Sequence, residues 1–479
     1  MSELDIALIK KRSVSGVIAL TSRTFVLQVI AFSATFLLTI FLSPAIFGVF
    51  YVVSAVISFL GYFSDIGLAA ALIQKKSELS DDDLVTTFTI QQTLVSVVVG
   101  LAFLCSPLIV SFYALEDAGR YLLYGLLISF FLSSLKTIPS VLLERKLEFH
   151  KLVLPQILET LGFYVVAVFL SWKGFGISSF TWAVLVRAIV GLVAIYYVSP
   201  WRIRLGFSLI TAKKLMTFGL PFQFNSFLAL LKDDLLTLFL GKILPLAQVG
   251  YIGWAKKWAE IPLRLIMDSI IRVTFPAFSR LQHSKELLRK AIEKTLFGLS
   301  VAIFPISISL LFFVRPLIDL IPRYSKWEPA LISFYLFTIA SAIASLSTPL
   351  TNALNALGKI KTTLWLMVLW TSSTWILTVL LVSLIGFNGV ALSLFLITST
   401  LALVVYLVKR VAAFSFWRSL QFPVLGITLQ SLFYMIFIQH TRDFFPLFII
   451  GTGGFVLYVS IIWVFERKQI ASIMEGVKS

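Results

Sequence analysis

About fourteen apolar segments, each long enough to cross a lipid bilayer, follow one another along this chain with short polar gaps between them. A membrane-spanning helix needs roughly 20 mainly apolar residues, and its backbone polar groups satisfy one another inside the segment. The pattern therefore predicts an all-α polytopic membrane protein of about fourteen transmembrane helices. The segments lie near residues 16–42, 46–73, 86–112, 120–143, 152–171, 175–198, 217–241, 246–270, 295–320, 330–356, 362–385, 388–408, 421–439 and 444–465.

The composition excludes a water-soluble fold, because 59% of the residues are hydrophobic and only 13% are charged. A soluble chain carries about a quarter charged residues. The polar gaps are too short to form a soluble domain, so the chemistry must occur inside the membrane. A membrane glycosyltransferase or ligase with a carboxylate pair on a large outer loop is therefore disfavoured, and the chain is expected to be a transporter and not an enzyme.

Basic residues set the predicted orientation. The net charge of +17 would favour nucleic acid as the partner of a soluble protein. Here twenty-five of the 40 Lys and Arg residues fall in the gaps on one side of the membrane and seven on the other, and the rest lie within apolar segments. By the positive-inside rule the richer side is cytoplasmic, which puts both termini in the cytoplasm and leaves no role for nucleic acid.

Two stretches on the cytoplasmic side are predicted to form additional helices. Residues 203–216 have the amphipathic pattern and basic face of an interfacial helix. Residues 280–294 are predicted to form a solvated helix that extends the eighth segment.

A short motif recurs at the outer ends of the first and seventh segments. Pro44 precedes Gly48 by four residues, and Pro245 precedes Gly250 by five. Six segments separate the two copies, so both have the same orientation in the membrane. The repeat predicts two halves related by an axis along the membrane normal, with a cavity between them.

Ionisable residues inside apolar segments are concentrated in the first eight. A charge at the bilayer centre costs about 2.5–3.5 kcal/mol on insertion scales, so such residues face protein or water and mark functional sites. The charges in these eight segments are Arg23, Asp65, Lys136, Glu159, Arg187, Lys232, Asp233, Asp234, Lys256, Lys257, Glu260, Arg264, Asp268 and Arg272.

The eighth segment carries a stripe of alternating charge at four-residue spacing, which forms one face of a helix. Two interpretations stay open: neutralised pairs that lock helices together, or a cationic cavity. The deepest charges, Lys256 and Lys257, favour the cavity, because basic side chains compensate a diphosphate for its lost water. Trp254 and Trp258 flank these lysines and are expected to stack on a sugar ring. The stripe comprises Lys256, Glu260, Arg264, Asp268 and Arg272.

Two more charge clusters lie on other segments. Arg23 and Asp65 have similar depth on the first and second segments, and they predict either a salt bridge or a gate that opens when a phosphate competes for Arg23. Lys232, Asp233 and Asp234 are consecutive on the seventh segment. The two acids are candidates for ion coupling, unless Lys232 neutralises one of them.

Other local patterns have simpler interpretations. Ser80 before the acidic run Asp81–Asp83 is typical of a helix N-cap. His150, His283 and His440 fall in loops without ligand spacing, so no metal site or cofactor is predicted. The phosphate-binding pattern G-x-x-x-x-G-K-[ST] does not occur, so ATP is not expected to drive this chain directly.

Five stretches resemble the polysaccharide transporter family of the multidrug/oligosaccharidyl-lipid/polysaccharide exporter superfamily. The chain is similar in particular to the O-antigen, colanic-acid and teichuronic-acid flippases, whose length and segment pattern it shares. The stretches are Asp65–Gln74 (DIGLAAALIQ), Phe218–Pro221 (FGLP), Val249–Tyr251 (VGY), Phe275–Gln282 (FPAFSRLQ) and Arg315–Ala330, which opens with RPLIDLI and closes with KWEPA.

The resemblance implies two six-helix lobes around a central cavity, plus two C-terminal helices. The expected domains are an N-terminal lobe at 1–200, a cytoplasmic interfacial linker at 201–216, a C-terminal lobe at 217–410 and two further helices with a cytoplasmic tail at 411–479. It also implies that basic residues on the first, seventh and eighth segments line the cavity. The residues on those segments here are Arg23, Lys232, Lys256, Lys257 and Arg264.

The implied cargo is an undecaprenyl-diphosphate-linked oligosaccharide. Alternating access would move it to the outer leaflet of the cytoplasmic membrane, for O-antigen (lipopolysaccharide), exopolysaccharide or capsule biosynthesis. Besides this cargo and membrane lipid, the expected partners are a polysaccharide polymerase and a chain-length regulator, with a monomer as the transport unit. Gating or ion coupling is assigned to Asp65, Asp233, Asp234, Glu260 and Asp268.

The alternative is a cation-coupled multidrug exporter of the same superfamily. Its cargo is usually cationic, so its cavity should be apolar and acidic, and the deep basic residues argue against it. A passive scramblase without coupling is left open.

Overall fold

The computed structural model describes residues 24, 26–64, 66–75, 77–440 and 443–478, and every regular element within them is a helix. The α-helices are α1 (Val26–Phe41), α2 (Pro44–Ser64), α3 (Leu68–Gln74), α4 (Asp81–Leu104), α5 (Ser106–Phe112), α6 (Asp117–Ser134), α7 (Thr137–Arg145), α8 (Phe149–Trp172), α9 (Ser178–Val198), α10 (Leu209–Ile243), α11 (Leu246–Ala259), α12 (Ile261–Leu281), α13 (Lys285–Leu320), α14 (Leu331–Ala356), α15 (Ile360–Ile385), α16 (Asn388–Ile397), α17 (Leu401–Lys409), α18 (Phe416–Phe437) and α19 (Phe444–Lys478). Short 3-10 helices occupy Ser325–Ala330, Thr398–Thr400 and Ile438–His440.

Ten helical stretches among the described residues are long and apolar enough to cross a membrane, and the bent pair α6–α7 is an eleventh. The chain is therefore a multi-pass membrane protein. The shorter α1 coincides with the first predicted segment, and α10 and the pair α11–α12 coincide with the seventh and eighth. The number of fourteen crossings stays a prediction.

Several segments that the sequence predicted as single helices are broken in two. α2 and α3 part next to Gly67, whose φ of 75° lies in the left-handed region that favours glycine. α6 and α7 meet at an angle of 42°. α11 ends at Ala259, and Pro262 stands in the first turn of α12, where the missing N–H of proline is tolerated. The helix of the eighth segment is therefore interrupted at Glu260, and the charged stripe along it stays a prediction.

For the two predicted cytoplasmic helices, the sequence-based prediction is wrong about how they connect to the neighbouring helices. Residues 203–208 are not helical, and the rest of the predicted helix 203–216 is the first part of the long α10. In the stretch 280–294, α12 ends at Leu281, and Ser284 caps the start of α13. These residues therefore extend the ninth helix and not the eighth.

Packing divides the chain into two compact units, Met1–Gly250 and Tyr251–Ser479. In the first unit, α9 packs along α8 and α6, and α2 packs on α6 and α10. In the second unit, α13 packs on α14 and α18, and α16 packs on α14 and α15. The finer division at 200, 216 and 410 stays a prediction.

The two copies of the predicted repeat pack directly against each other in the first unit. A Cβ atom added to Gly48 would lie 1.7 Å from the carbonyl oxygen of Leu246, and one added to Gly250 would lie 1.9 Å from that of Pro44. The backbones at the start of α2 and the start of α11 therefore touch, which only glycine permits. The repeat marks a helix crossing that glycine makes possible from both sides.

A second reciprocal crossing joins the α2–α3 break to α10. A Cβ atom on Gly67 would lie 2.3 Å from the carbonyl oxygen of Gly219, and one on Gly219 would lie 2.5 Å from that of Ile66. Close backbone contact therefore holds α10 against the region where α2 ends.

The predicted N-cap at Ser80 is confirmed. Ser80 Oγ accepts a hydrogen bond from the Asp83 backbone N–H at 3.2 Å, and the Asp83 carboxylate accepts one from the Ser80 N–H at 2.8 Å. This capping box satisfies two amide groups at the start of α4. Asp83 also forms an ion pair with Lys75, which ties the preceding loop to the helix.

The substitution Ser80→Ala is expected to lower the free energy of unfolding by about 1 kcal/mol, because it leaves an amide of the first turn without its acceptor. The apparent melting temperature of the purified protein in detergent measures the change. Ser111→Ala is the matched control, since that exposed hydroxyl only donates to a carbonyl of its own helix. Equal melting temperatures for the two variants would contradict a role for the cap.

Candidate functional site

A polar cavity of about 630 Å³ lies inside the first unit, among α2, α3, α4, α6, α7, α8 and α9. Charged and polar side chains within membrane-spanning helices face water or protein and not lipid, so this cavity is suited to a polar ligand. The polar side chains of its wall belong to Ser54, Gln91, Ser129, Ser133, Lys136, Thr137, Ser140, Glu144, Glu159 and Arg187.

Two cations share one carboxylate in the wall of this cavity. Lys136 Nζ donates to Glu159 Oε1 at 2.6 Å, and Arg187 Nε lies 4.0 Å from Glu159 Oε2. The Lys136 and Glu159 side chains are 16% and 14% exposed, whereas that of Arg187 is 56% exposed. The short pair is therefore Lys136–Glu159, and the guanidinium of Arg187 is the accessible charge of the three.

Three helices position this cluster. Lys136 follows the end of α6, where the bend toward α7 turns it into the cavity wall. Glu159 projects from α8 against Gly191 of α9, where an added Cβ atom would lie only 2.1 Å from Glu159 Oε1. Gly191 therefore provides the space in which the carboxylate meets both cations.

Amide side chains of α4 support the same bend. Gln91 Nε2 donates to Thr137 Oγ1 at 3.0 Å, and Gln92 Nε2 donates to Ser134 Oγ at 3.0 Å. Gln91 is 8% exposed, and its Oε1 has no hydrogen-bond partner among the described residues. A buried carbonyl left without a donor loses about 1–3 kcal/mol relative to a satisfied one, and this oxygen has almost no accessible surface.

The predicted residues on α10 do not share one environment. Consecutive residues on a helix point about 100° apart, so Lys232, Asp233 and Asp234 face three directions. Asp233 is exposed, and Asp234 is half-buried and accepts a hydrogen bond from Ser58 of α2. The side chain of Lys232 lies outside the described part of the chain. Asp234 therefore contributes to the packing of α10 on α2.

Among the described side chains of the predicted stripe, Glu260 and Arg264 form a neutralised pair. Arg264 donates to Glu260 Oε2 from Nε at 3.2 Å and from Nη2 at 2.7 Å, across the break between α11 and α12. Lys256 and Lys257 are half-buried in the last turn of α11. The side chain of Asp268 on α12 lies outside the described part. Pairing thus accounts for Glu260 and Arg264, and the cationic role of the two lysines stays a prediction.

The two predicted tryptophans have different surroundings. Trp254 is 3% exposed and stacks on Trp327 with ring centroids 5.2 Å apart, and its Nε1 donates to the Tyr324 hydroxyl at 3.3 Å. Its ring belongs to the core of the second unit, so contact with a sugar would require it to leave this packing. Trp258 is half-buried, and sugar stacking there stays a prediction.

Some predictions concern residues that the structure does not describe. Arg23 and Asp65 lie outside the described residues, so their salt bridge or gate stays a prediction. Within the described ranges, no group of three or more His, Cys, Asp or Glu is placed to hold a metal ion.

The second unit contains an apolar cavity, in contrast to the polar cavity of the first unit. It measures about 680 Å³ and lies between α13 and α19. Apart from Ser309, Gly451 and Thr452, its wall consists of Ile306, Leu310, Phe313, Leu317, Phe444, Leu447, Phe448 and Phe455.

Residues 37–332 match the model of a family described as polysaccharide biosynthesis protein, which is more than half of the chain. The chain belongs to this polysaccharide biosynthesis protein family. The matched residues include the helices α2–α9 around the polar cavity and the charged helices α10–α12. The resemblance to the polysaccharide transporters is confirmed.

Curated relatives are similar to this chain over part of their length. It is 28% identical over 291 residues to the succinoglycan biosynthesis transport protein ExoT of Rhizobium meliloti, which covers 60% of this chain and 58% of the relative. It is 26% identical over 324 residues to the lipopolysaccharide biosynthesis protein WzxC of Escherichia coli, covering 66% of this chain and 64% of the relative. It is 24% identical over 303 residues to the teichuronic acid biosynthesis protein TuaB of Bacillus subtilis, covering 62% and 61%. The chain thus matches less than two thirds of the length of each.

Solved structures have a fold similar to that of this chain. The lipid II flippase MurJ in an inward closed conformation has a TM-score of 0.75 at 16% identity, covering 94% of this chain and 99% of MurJ. An outward-facing multidrug transporter of the MATE family has a TM-score of 0.53 at 15% identity, covering 82% and 94%. At these identities the likeness concerns the fold alone.

Sequence reasoning noted the charges of the polar cavity but assigned them no role. Lys136, Glu159 and Arg187 lie in the fourth, fifth and sixth segments, and a signal was present because opposite charges in neighbouring apolar segments favour pairing. Gln91 left no such signal, since it is neutral and its neighbours in the chain do not reveal the cavity. Ser129 and Ser133 were missed for the same reason.

Proposed function

We propose that this chain is a flippase, and not an enzyme, that moves undecaprenyl-diphosphate-linked oligosaccharide repeat units from the cytoplasmic to the outer leaflet. It would act by alternating access during the biosynthesis of O-antigen, exopolysaccharide or capsule. One observation carries this proposal: a cavity with ionised and hydroxyl-bearing walls lies within membrane-spanning helices of a polysaccharide biosynthesis protein.

The physical problem for such a cargo is the transfer of its polar head across hydrocarbon. Sugar hydroxyls lose their hydrogen bonds to water, and each unreplaced bond costs about 1–3 kcal/mol. The serine and threonine hydroxyls, the amide and the ion pairs of the cavity offer replacement donors and acceptors. The names of the relatives support this cargo class, because they concern succinoglycan transport and lipopolysaccharide and teichuronic acid biosynthesis.

The proposed binding site of the diphosphate consists of basic residues. They are Arg23, Lys232, Lys256, Lys257 and Arg264. Lysine is a point charge, and arginine a bidentate fork, for phosphate oxygens. Arg264 is already bonded to Glu260, so it would engage the cargo by exchanging that partner. Lys256 and Lys257 in α11 are candidates on the same electrostatic grounds.

The isoprenoid chain of the cargo needs an apolar surface. The cavity between α13 and α19 is lined almost entirely by aliphatic and aromatic side chains. Burial of apolar area is worth about 25 cal/mol per Å², which favours a hydrocarbon chain in such a cavity. We propose that the lipid part of the cargo occupies it while the head group moves.

Gating and coupling are proposed for Asp65, Asp233, Asp234, Glu260 and Asp268, with a monomer as the transport unit. Polysaccharide polymerase and chain-length regulator stay proposed partners, and both termini are proposed to be cytoplasmic. The positive-inside distribution of Lys and Arg supports that orientation.

The decisive experiment is transport of a fluorescent undecaprenyl-diphosphate oligosaccharide in proteoliposomes. The wild type is expected to transport it, and Lys256→Ala/Lys257→Ala is expected to reduce the rate at least about 100-fold, because two charges that offset diphosphate desolvation are lost. Gel filtration of the purified variant checks that it folds.

A matched control is Lys213→Ala/Lys214→Ala, which also removes two positive charges, but from exposed positions on α10. This control is expected to transport at the wild-type rate. Equal rates for all three proteins would show that Lys256 and Lys257 do not act on the diphosphate. Transport of a lipophilic cation without transport of the lipid would replace the proposal with the multidrug exporter.

A further inference from the structure

We propose that the polar cavity of the first unit is a saccharide subsite that binds an anionic substituent of the glycan, with Arg187 as its recognition residue. The chemical class is a sugar that carries a carboxylate or phosphate group. The inference deepens the proposed function and rests on it for its biological meaning.

The charge balance of the cluster is the first argument. Glu159 carries one negative charge, and Lys136 occupies its Oε1 at 2.6 Å. Arg187 has only the 4.0 Å approach to Oε2 and no hydrogen bond to another described residue. The cluster thus has a formal charge of +1, and its accessible member is a guanidinium whose fork matches two anionic oxygens.

The position of the remaining acid is consistent with this balance. Glu144 also lines the cavity, eight residues after Lys136 on α7. At a rise of 1.5 Å per residue, that separation is about 12 Å along the helix axis. The cavity wall as a whole therefore carries two cations and two carboxylates, and the excess positive charge belongs to the Lys136–Glu159–Arg187 cluster.

The other groups of the wall suit a sugar. Ser129 and Ser133 of α6 carry hydroxyls, and the buried Oε1 of Gln91 accepts no hydrogen bond from the described residues. Phe50 and Phe130 add apolar rings to the same wall, and Phe50 is held by stacking on Phe180 with centroids 4.3 Å apart. Hydroxyls and aromatic faces together match the alternation of O–H groups and C–H faces on a pyranose.

A purely structural role does not account for Arg187. A charge that only locks helices together is expected to be buried and paired, as Lys136 and Glu159 are. Arg187 is 56% exposed, contacts its partner at the limit of an ion pair and lines the cavity. Its guanidinium is therefore available to a ligand while the neighbouring pair holds α7 to α8.

The test measures binding of three soluble trisaccharides to the purified full-length protein in detergent by calorimetry. They are identical except for the terminal residue, which is glucose, glucuronic acid or glucose 6-phosphate. The wild type is expected to bind at least one charged sugar about tenfold more tightly than the neutral one, which corresponds to about 1.4 kcal/mol. The charged sugar that binds with the higher affinity shows whether carboxylate or phosphate is the preferred group.

Two variants assign the preference to Arg187. Arg187→Gln is expected to bind all three sugars equally, at the affinity of the neutral one, and Arg187→Lys is expected to retain part of the preference because it keeps the charge but not the fork. Arg120→Gln is the matched control, since that arginine of the same unit is exposed and lies outside the cavity wall. It is expected to retain the full preference.

The outcomes separate this inference from the proposed function. These trisaccharides lack both lipid and diphosphate, so their selectivity does not depend on transport. Equal binding of charged and neutral sugars by the wild type, no binding of any sugar, or an unchanged preference in Arg187→Gln would overturn the subsite. Each of these results would leave flipping of the lipid-linked cargo to be decided by the proteoliposome assay alone.

Discussion

Gly48→Ala is expected to prevent normal folding or to lower the free energy of unfolding by more than about 3 kcal/mol. The new methyl group would stand 1.7 Å from the carbonyl oxygen of Leu246 and 2.6 Å from its carbonyl carbon. The obstacle is backbone, which cannot rotate away as the end of a side chain can. The start of α2 would therefore have to separate from the start of α11. Fluorescence-detected gel filtration and the apparent melting temperature measure the effect.

Gly250→Ala should have a similar effect, because its methyl group would meet the carbonyl of Pro44 in the same crossing. The double variant is expected to be little worse than either single one, since both changes open the same contact. Gly100→Ala is the matched control: Gly100 lies within α4 with no atom near its added Cβ, so alanine there should stabilise the helix by up to about 1 kcal/mol. Normal melting of Gly48→Ala would show that the two helices do not cross at these glycines.

Glu159→Ala is expected to lower the free energy of unfolding by about 3–5 kcal/mol, because it leaves Lys136 largely buried without its partner. The Lys136 side chain is 16% exposed and donates to Glu159 at 2.6 Å. The double variant Lys136→Met/Glu159→Leu should recover most of the loss, since it removes both charges and fills the space with apolar atoms. The apparent melting temperatures of the three proteins measure these differences.

An exposed ion pair on another helix provides the comparison. Lys290 and Glu286 of α13 are 55% and 69% exposed with a separation of 2.9 Å, so Glu286→Ala should change stability by less than about 1 kcal/mol. Arg187→Gln should also have a small effect, because Arg187 is accessible and its ion pair is long. If Glu159→Ala were no more harmful than Glu286→Ala, the Lys136–Glu159 pair would not hold α7 to α8.

These expectations give the cluster two separate tasks. Lys136 and Glu159 form the buried part that maintains the cavity, and Arg187 is the part that a ligand can reach. Stability measurements on Glu159 variants and binding measurements on Arg187 variants therefore report on different properties of one site. A variant that altered both would indicate that the cavity collapses when the cluster is disturbed.

Helix formation followed from local sequence, because a helix in lipid satisfies its hydrogen bonds within one segment. This locality explains why the predicted apolar segments, where the structure describes them, overlap one or two helices and why the N-cap at Ser80 was predictable from four residues. The positions where predicted segments break into two helices were also partly predictable from local sequence. Gly67 and Pro262 are residues that interrupt helices, although their presence alone does not state whether a segment bends or continues.

The site depended on contacts between segments far apart in the chain. Charge content identified Lys136, Glu159 and Arg187 as unusual, but the rotation of each helix about its axis decides which charges meet. In the eighth segment the alternating charges were visible in the sequence. The sequence did not decide whether Glu260 and Arg264 neutralise each other or contribute to a cationic cavity, and the structure shows them paired. Trp254 was expected near a sugar and lies instead in the core of the second unit.

The sequence by itself determined that this chain is a helical membrane protein with its intramembrane charges concentrated in its first eight segments, because hydrophobicity and backbone hydrogen bonding act locally. Only the tertiary structure decided that two glycine-bearing repeats cross and that one carboxylate is shared by two cations. It also placed Gln91 and the serine hydroxyls in the same wall. These features depend on the packing angles and register of helices, to which side chains distant in sequence contribute together.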